Sequence, residues 1–378
     1  MKDKTMTQPL HFNLTILNAG HHPAAWRLRD SNVEQLTELA YFRKLLQRAE
    51  AGGIHSAYFP DLLSADEAID RTPYSQRLEP LTLLAALAAS TRHIGLIAGV
   101  STVHTLPYNL ARRLASLDHV SNGRAGWGVI TTTDARSDLN FGQPDAANAG
   151  RLRERAAEFV DVLQKLWDSW QDDAQVNDKA AGIYVETARV HEIAHEGRNF
   201  RVSGPLDVPR SPQGHPVLVQ EVRSPAEFLA ESVEVALIPG SDRDASRALY
   251  GSIKASAEKA GRAASSVRVL PALNVLVAPT SAEARATAAE LDKLAGTADG
   301  SFIVGDAVQI ADHIEQWAKD GAADGFDLRP AALPSGLEAF VSEVVPELRK
   351  RGLIAAEYQG STLREHYGFA RPASRYAA

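Results

Sequence analysis

Apolar runs of strand length alternate with segments of helical period along this chain, and the pair repeats eight times. The runs predict strands at about 11–17, 56–60, 94–99, 125–131, 216–220, 233–238, 267–278 and 324–328. Helical spacing follows at about 35–51, 80–90, 107–121, 150–170, 225–232, 242–260, 306–320 and 336–351. Such alternation predicts an α/β fold, a (β/α)8 TIM barrel forming one domain over residues 1–378.

Residues 94–133 show the unit most clearly. An apolar strand passes through a polar turn into a helix that opens with Pro107 and stops at Ser121, Asn122 and Gly123, and a second apolar strand follows. Polar residues gather where the strands end: Ser101, Thr102, His104 and Thr105 after the first, Thr131, Thr132 and Thr133 after the second. Barrel enzymes assemble their sites at that end, so the chemistry is expected there.

Two stretches depart from the pattern. Residues 81–89, LTLLAALAA, are apolar on nearly every face, more than an outer-shell helix needs, which predicts contact with a second subunit. Residues 171–215, charged and rich in Gly and Pro, predict an excursion with a small hairpin around YVE and NFRV.

Composition narrows the function. A chain of 378 residues with 44% hydrophobic and 23% charged residues supplies a sizeable core. A net charge of −7 without a long basic stretch argues against a nucleic-acid partner. With no cysteine, disulfides, thiolate metal sites and a cysteine nucleophile are excluded. No apolar run approaches the ~18 residues of a membrane span, and MKDKTMTQPLHF lacks an export core, so a cytoplasmic protein is expected.

His191-Glu192-Ile193-Ala194-His195 matches the zinc motif His-Glu-x-x-His. Gly197 leaves too little room for the helix that motif requires, and no third ligand can be named, so no metal is expected. No Gly-x-Gly-x-x-Gly, Walker loop or Gly-x-Ser-x-Gly elbow occurs.

Five motifs, in order from about Phe12 to Gly368, carry a family likeness: GHHPAAW, STVHTLPYNLARRLASLDHVSNGRAGWGV, LQKLWDSW, GPLDVPRSPQGHPVLVQ and GAADGFDLRPAALPSGLEAFVSEVVPELRKRGL. Together they resemble the bacterial luciferase-like flavin monooxygenases, in the branch of nitrilotriacetate monooxygenase component A. The resemblance implies a two-component enzyme. Reduced FMN is its co-substrate, a separate NAD(P)H:flavin reductase its partner, and a small organic compound the molecule oxygenated. It also implies a homodimer, or a higher homo-oligomer, through the 81–89 region, and a lid role for the excursion.

Site residues follow from the same resemblance. Asp61 would contact the flavin ring, or else cap the turn before Leu62. Gly99 and Val100 would lie behind the isoalloxazine, where a small residue lets backbone approach a flat ring. Thr105, Thr131 and Arg153 are further cofactor contacts, and Gln220, Arg223 and Ser224 belong to the phosphate loop. His104 and His22 are the catalytic candidates, with His21, Trp26 and Trp127 on the substrate side. The chain departs from the family pattern at Gly128, where asparagine is usual, at Leu106 for histidine, at Arg153 for tyrosine, and at Glu221-Val222-Arg223-Ser224 for Ala-Gly-Ala-Ser. Two alternatives stay open: a deazaflavin-dependent oxidoreductase, and a weak or non-catalytic flavin binder whose site has changed.

Overall fold

Parallel strands buried on both faces read as continuous apolar runs, and eight such runs close into a ring. The computed structural model describes residues 9–65, 69, 72–142 and 149–376, so most of the segment read for an export signal, residues 1–8, lies outside the described residues. The ring strands are β1 (His11–Thr15), β2 (Ser56–Phe59), β3 (Gly95–Ser101), β4 (Ala125–Ile130), β5 (Val217–Glu221), β6 (Val235–Ile238), β7 (Arg268–Val277) and β8 (Gly325–Pro330). Each pairs in parallel with its sequence neighbour, and β8 returns to β1 with His11 opposite Gly325 and Leu14 opposite Leu328. A ninth strand, Ile303–Gly305, extends the far end of β7.

Helices α1 (Leu39–Ala51), α2 (Pro80–Ala88), α3 (Pro107–Val120), α4 (Ala135–Asn140) and α5 (Ala149–Asp168) follow the first four strands. After β6 and β7 come α6 (Arg243–Lys259), α7 (Ser281–Ala295) and α8 (Ala307–Lys319). In α2 the leucines Leu81, Leu83, Leu84 and Leu87 are buried, while Thr82, Ala85 and Ala86 face outward. No helix among the described residues is long and apolar enough to cross a membrane.

Two expectations about helices need correction. Residues 225–232 form turns instead of a helix. The buried Gln220 side chain donates to Glu227 O at 2.8 Å and accepts from Leu229 N at 3.1 Å, tying that loop to β5 and overriding its helical spacing. Helix α7 was not expected, although Thr280 and Glu283 form a reciprocal capping box and Gly296 ends it at φ +78°.

The excursion carries two short hairpins, Gln175–Asp178 with Ile183–Val185 and His195–Glu196 with Arg201–Val202. It runs along the flank of α3 and α5. Tyr108 Oη donates to Pro205 O at 3.4 Å, Asn199 and Phe200 donate backbone N–H groups to Glu158, and His119 Nε2 meets Pro209 O at 3.1 Å.

The C-terminal segment Leu363–His366 seals the N-terminal end of the barrel. Leu363 occupies the space that a Cβ on Gly95 would need, and Tyr367 Oη lies 2.7 Å from Ser56 Oγ. Arg364 clamps the segment with two 2.8 Å bonds to Glu234. Above it, Ile97, Val217, Val219, Leu237 and Leu270 fill the barrel, leaving the other end as the place for a site.

Candidate active site

Strand alternation decides which side chains enter the barrel. In β5, Val217 and Val219 point inward, so Glu221 does too. In β8 the inward set is Gly325, Asp327 and Arg329, and in β1 it is His11, Asn13 and Thr15. The fully buried Asp327 accepts from Asn13 Nδ2 and Thr15 Oγ1, each at 2.7 Å, through Oδ1, while Oδ2 accepts from Arg329 Nε at 2.6 Å. Burial pulls the Arg329 pKa down, but Asp327 and Glu221 outweigh it and leave it above the ordinary value.

His21 enters the same mouth. Its Nε2 lies 2.9 Å from Thr15 O, and burial, helped by the Arg329 charge, lowers its pKa to about 4, so it is neutral near pH 7. Arg77 approaches from the β2–α2 connection, donating through Nε to Tyr74 O and through Nη1 to Pro60 O, both at 3.2 Å. Tyr58 forms the floor. Burial and the nearby Glu221 hold its hydroxyl well above the ordinary tyrosine pKa.

Two glycines shape that floor. A Cβ at Gly128 would collide with the Tyr58 ring, so the tyrosine fills the space above this glycine. At Gly99 a Cβ would lie 2.9 Å from Asp61 N and 3.0 Å from Pro60 Cα. The small residue expected to admit a flat ring therefore serves the packing of β3 against the end of β2. Asp61 Oδ1 accepts from Leu62 N at 2.9 Å, and burial raises its carboxyl pKa.

A second cluster stands at the ends of β3 and β4. His104 Nε2 lies 2.9 Å from Asp138 Oδ1 and 3.3 Å from Thr133 Oγ1, its Nδ1 lies 3.4 Å from Ser101 Oγ, and its ring stacks on Phe141 at 4.7 Å. Thr133 also donates to Asp138. Both polar atoms of the imidazole are thus engaged inside the protein, and Thr133 reaches outward from the group into a cleft.

That cleft, about 560 Å³, is lined by Thr131, Thr132, Thr133, Leu152, Arg153 and Ser224 with Glu227. Arg153 is exposed and donates through Nη2 to Phe228 O at 3.1 Å. The Thr131 and Thr132 hydroxyls just beyond β4, the Ser224 hydroxyl and a guanidinium make a donor set that fits a phosphate-bearing cofactor. Thr105 is half-buried beside this region, and Arg223 is exposed with its backbone N–H donating to Glu227 at 2.9 Å.

Other expected residues lie elsewhere. Trp127 is fully buried on the outer face of β4, packed 5.8 Å from Phe159, because Gly126 and Gly128 take the inward positions. Its Nε1 donates to Val100 O at 3.1 Å. His22 turns toward α7, where Nδ1 accepts from Ala24 N at 3.1 Å and Nε2 stands 3.6 Å from Asp292, with Phe302 beside it. Trp26 is half-buried in the short turn Ala25–Arg27, and Gln220 braces its loop as described. His191 meets Gln171 and stacks on Tyr376, whereas His195 meets Glu158 and Lys165, so the two histidines serve different partners.

Sequence reasoning missed Tyr58, Arg77, Asp138, Asp327 and Arg329. A signal existed for the last two: GFDLRP places an acid and a base two residues apart, hence on one face of a strand whose other positions are apolar.

Comparison with known proteins gives a consistent family. A family model described as luciferase-like monooxygenase matches residues 18–327. Nitrilotriacetate monooxygenase component A of Aminobacter aminovorans is 34% identical, over 95% of this chain and 96% of its own. Among solved structures, a long-chain alkane monooxygenase superposes with a TM-score of 0.90 at 28% identity, covering 96% of each chain. A riboflavin lyase solved with modified FMN and riboflavin gives 0.88 at 30% identity, covering 95% of this chain and 96% of its own.

Proposed function

Because the chain belongs to the luciferase-like monooxygenase family, we propose that it is the oxygenating half of a two-component system, using reduced FMN delivered by a separate NAD(P)H:flavin reductase. The observation that carries this reading is the cleft at the C-terminal ends of the strands, where Thr131, Thr132, Arg153 and Ser224 present donors beside the His104–Asp138–Thr133 group. Reduced FMN, when bound, supplies the electrons that activate oxygen. Arg153 and Ser224 bind its phosphate, and Thr131 and Thr132 orient it. The Thr133 hydroxyl gives its proton to the reacting centre and takes one in turn from His104 Nε2, which Asp138 orients. His104 is in this sense a positioning residue.

The working unit is a homodimer. Thr82 and Ala85 of α2 and the exposed Asn109, Arg112 and Ser116 of α3 border a groove of about 410 Å³, the surface a second copy would cover.

Rapid mixing of reduced FMN and the chain with aerated buffer tests the function. Slower flavin reoxidation than for free flavin, with less hydrogen peroxide released, is expected. An unchanged rate with full peroxide release would overturn the reading.

A further inference from the structure

His21 and Arg329 are neighbours at the β8–β1 side of the mouth. The His21 backbone N–H donates to Pro330 O at 3.0 Å, so the residue after Arg329 anchors the histidine beside it. His21 Nε2 lies 2.9 Å from Thr15 O. A carbonyl only accepts, so Nε2 carries the proton and Nδ1 is left as a bare acceptor. That Nδ1 has no donor among the described residues and is not sealed from solvent. Arg329 uses Nε alone, on Asp327 at 2.6 Å, and its side chain is 23% exposed. Its two terminal nitrogens likewise have no acceptor among the described residues and stay open. The mouth thus presents donors fixed by a buried carboxylate beside an acceptor fixed by a backbone carbonyl.

Charge does not select an ion for this spot. Arg329 faces Asp327, and Arg77 faces Asp61 and Glu221, so the layer holds three acids against two arginines among the described residues. Glu79 and Arg113, which also act on Asp61, pair with each other at 3.1 Å. An anionic guest finds no surplus of positive charge, and a cationic one would lie against the open nitrogens of Arg329. A guest with an uncharged carbonyl next to an N–H satisfies both groups, because the carbonyl accepts from Arg329 and the N–H donates to His21 Nδ1.

The place is separate from the cofactor cleft. In the closed ring of strands, β8 and β1 stand opposite β4 and β5, whose ends border that cleft. Resting on the monooxygenase reading, we propose that the substrate carries an uncharged –CO–NH– edge, as in a carboxamide or lactam, its carbonyl oxygen held by Arg329 and its N–H by His21 Nδ1. His21 sets the demand for the N–H, and Arg329 the demand for the carbonyl.

δ-Valerolactam, δ-valerolactone and piperidine test this in NMR titrations of the full chain, being rings of one size that differ in the N–H, the carbonyl and the charge. The lactam is expected to bind at least ~5-fold more tightly than either of the others. His21→Phe should bring the lactam down to the level of the lactone and leave the lactone within ~2-fold. Should His21→Phe not fold, N-methyl-δ-valerolactam makes the same test on the unaltered chain and should bind no better than the lactone. Arg329→Lys, which keeps a cation for Asp327, should weaken lactam and lactone alike by at least ~5-fold and preserve the preference between them. Reduced FMN should not displace the lactam, and its affinity should stay within ~2-fold in both variants. The proposal falls if the lactam does not bind, if the lactone or piperidine binds as well, or if the variants fail to separate the N–H from the carbonyl. It falls equally if reduced FMN competes with the lactam, because the –CO–NH– edge of the flavin would then occupy the site. Lactam binding of the expected pattern in a chain that binds no reduced FMN would sink the flavin reading and leave this one standing.

Discussion

His104 Nε2 and Asp138 Oδ1 stand 2.9 Å apart, each side chain 2% exposed, and the Thr133 hydroxyl touches both. The buried carboxylate orients the ring, and the threonine carries the group's hydrogen bonding to the cleft wall. Three residues that act as one unit lose their function together. Thr133→Val and His104→Gln should each lower single-turnover product formation by ~10²-fold, with reduced FMN affinity retained. The double variant should cost little more than the worse single. Losses that multiply would show that the residues act separately.

Gly128 and Tyr58 form a second coupled pair, because a Cβ on the glycine meets the tyrosine ring. Gly128→Ala should overpack the floor and cost about 1–3 kcal/mol in denaturant unfolding. Adding Tyr58→Leu makes room, so the two changes should couple by about 1 kcal/mol or more. Additive losses in the double-mutant cycle would contradict the contact. Restoring asparagine at 128 is expected to fail for the same reason unless Tyr58 is changed with it.

A pH dependence follows from the sealed lower end of the barrel. His366, 2% exposed, has both ring nitrogens buried without a hydrogen-bond partner, and it packs 4.9 Å from Tyr358. Burial, then the charge of His93, lowers its pKa from 6.5 to about 4. His11 is lowered to about 4 by burial and Arg268, and His55 is lowered by burial and His11. Between pH 6.5 and 4 the unfolded chain binds protons that the folded chain refuses. Stability is therefore full above 6.5 and falls as the pH drops toward 4, with His366 alone accounting for about 3 kcal/mol. Urea unfolding across this range should show the fall, and His366→Phe should make it shallower while His11 and His55 keep the remainder. An unchanged pH profile in the variant would contradict the assignment.

The barrel was legible because its strands are uninterrupted apolar runs, and β3, α3 and β4 formed where Pro107 and Asn122-Gly123 marked the helix ends. The helix expected at 225–232 failed because the Gln220 side chain takes the loop's hydrogen bonds, a tertiary contact no local pattern reveals. Helix α7 was readable from Thr280, Glu283 and Gly296, and was passed over. Trp127 looked like a cavity residue until alternation with Gly126 and Gly128 turned it outward. The charged mouth was harder to see. Tyr58, Glu221 and Arg329 belong to three strands far apart in sequence, and only closure of the ring sets them around one space.

The outward face of α2 offers a separate test. Thr82, Ala85 and Ala86 are exposed small residues above a buried leucine row, beside the α2–α3 groove. Ala85→Arg touches no buried group, so it should leave the melting temperature nearly unchanged while converting the proposed dimer to monomer in light scattering. A dimer that survives the change would place the interface elsewhere.

The central claim is that the cleft between the β4 end and Ser224 recognises the phosphate of reduced FMN. Anaerobic titration of the chain with reduced FMN and with reduced riboflavin, which lacks only the phosphate, tests it most directly. Reduced FMN should bind at least ~10-fold more tightly, and Arg153→Ala should remove most of that difference. Equal affinity for the two flavins, or an undiminished difference in the variant, would contradict it.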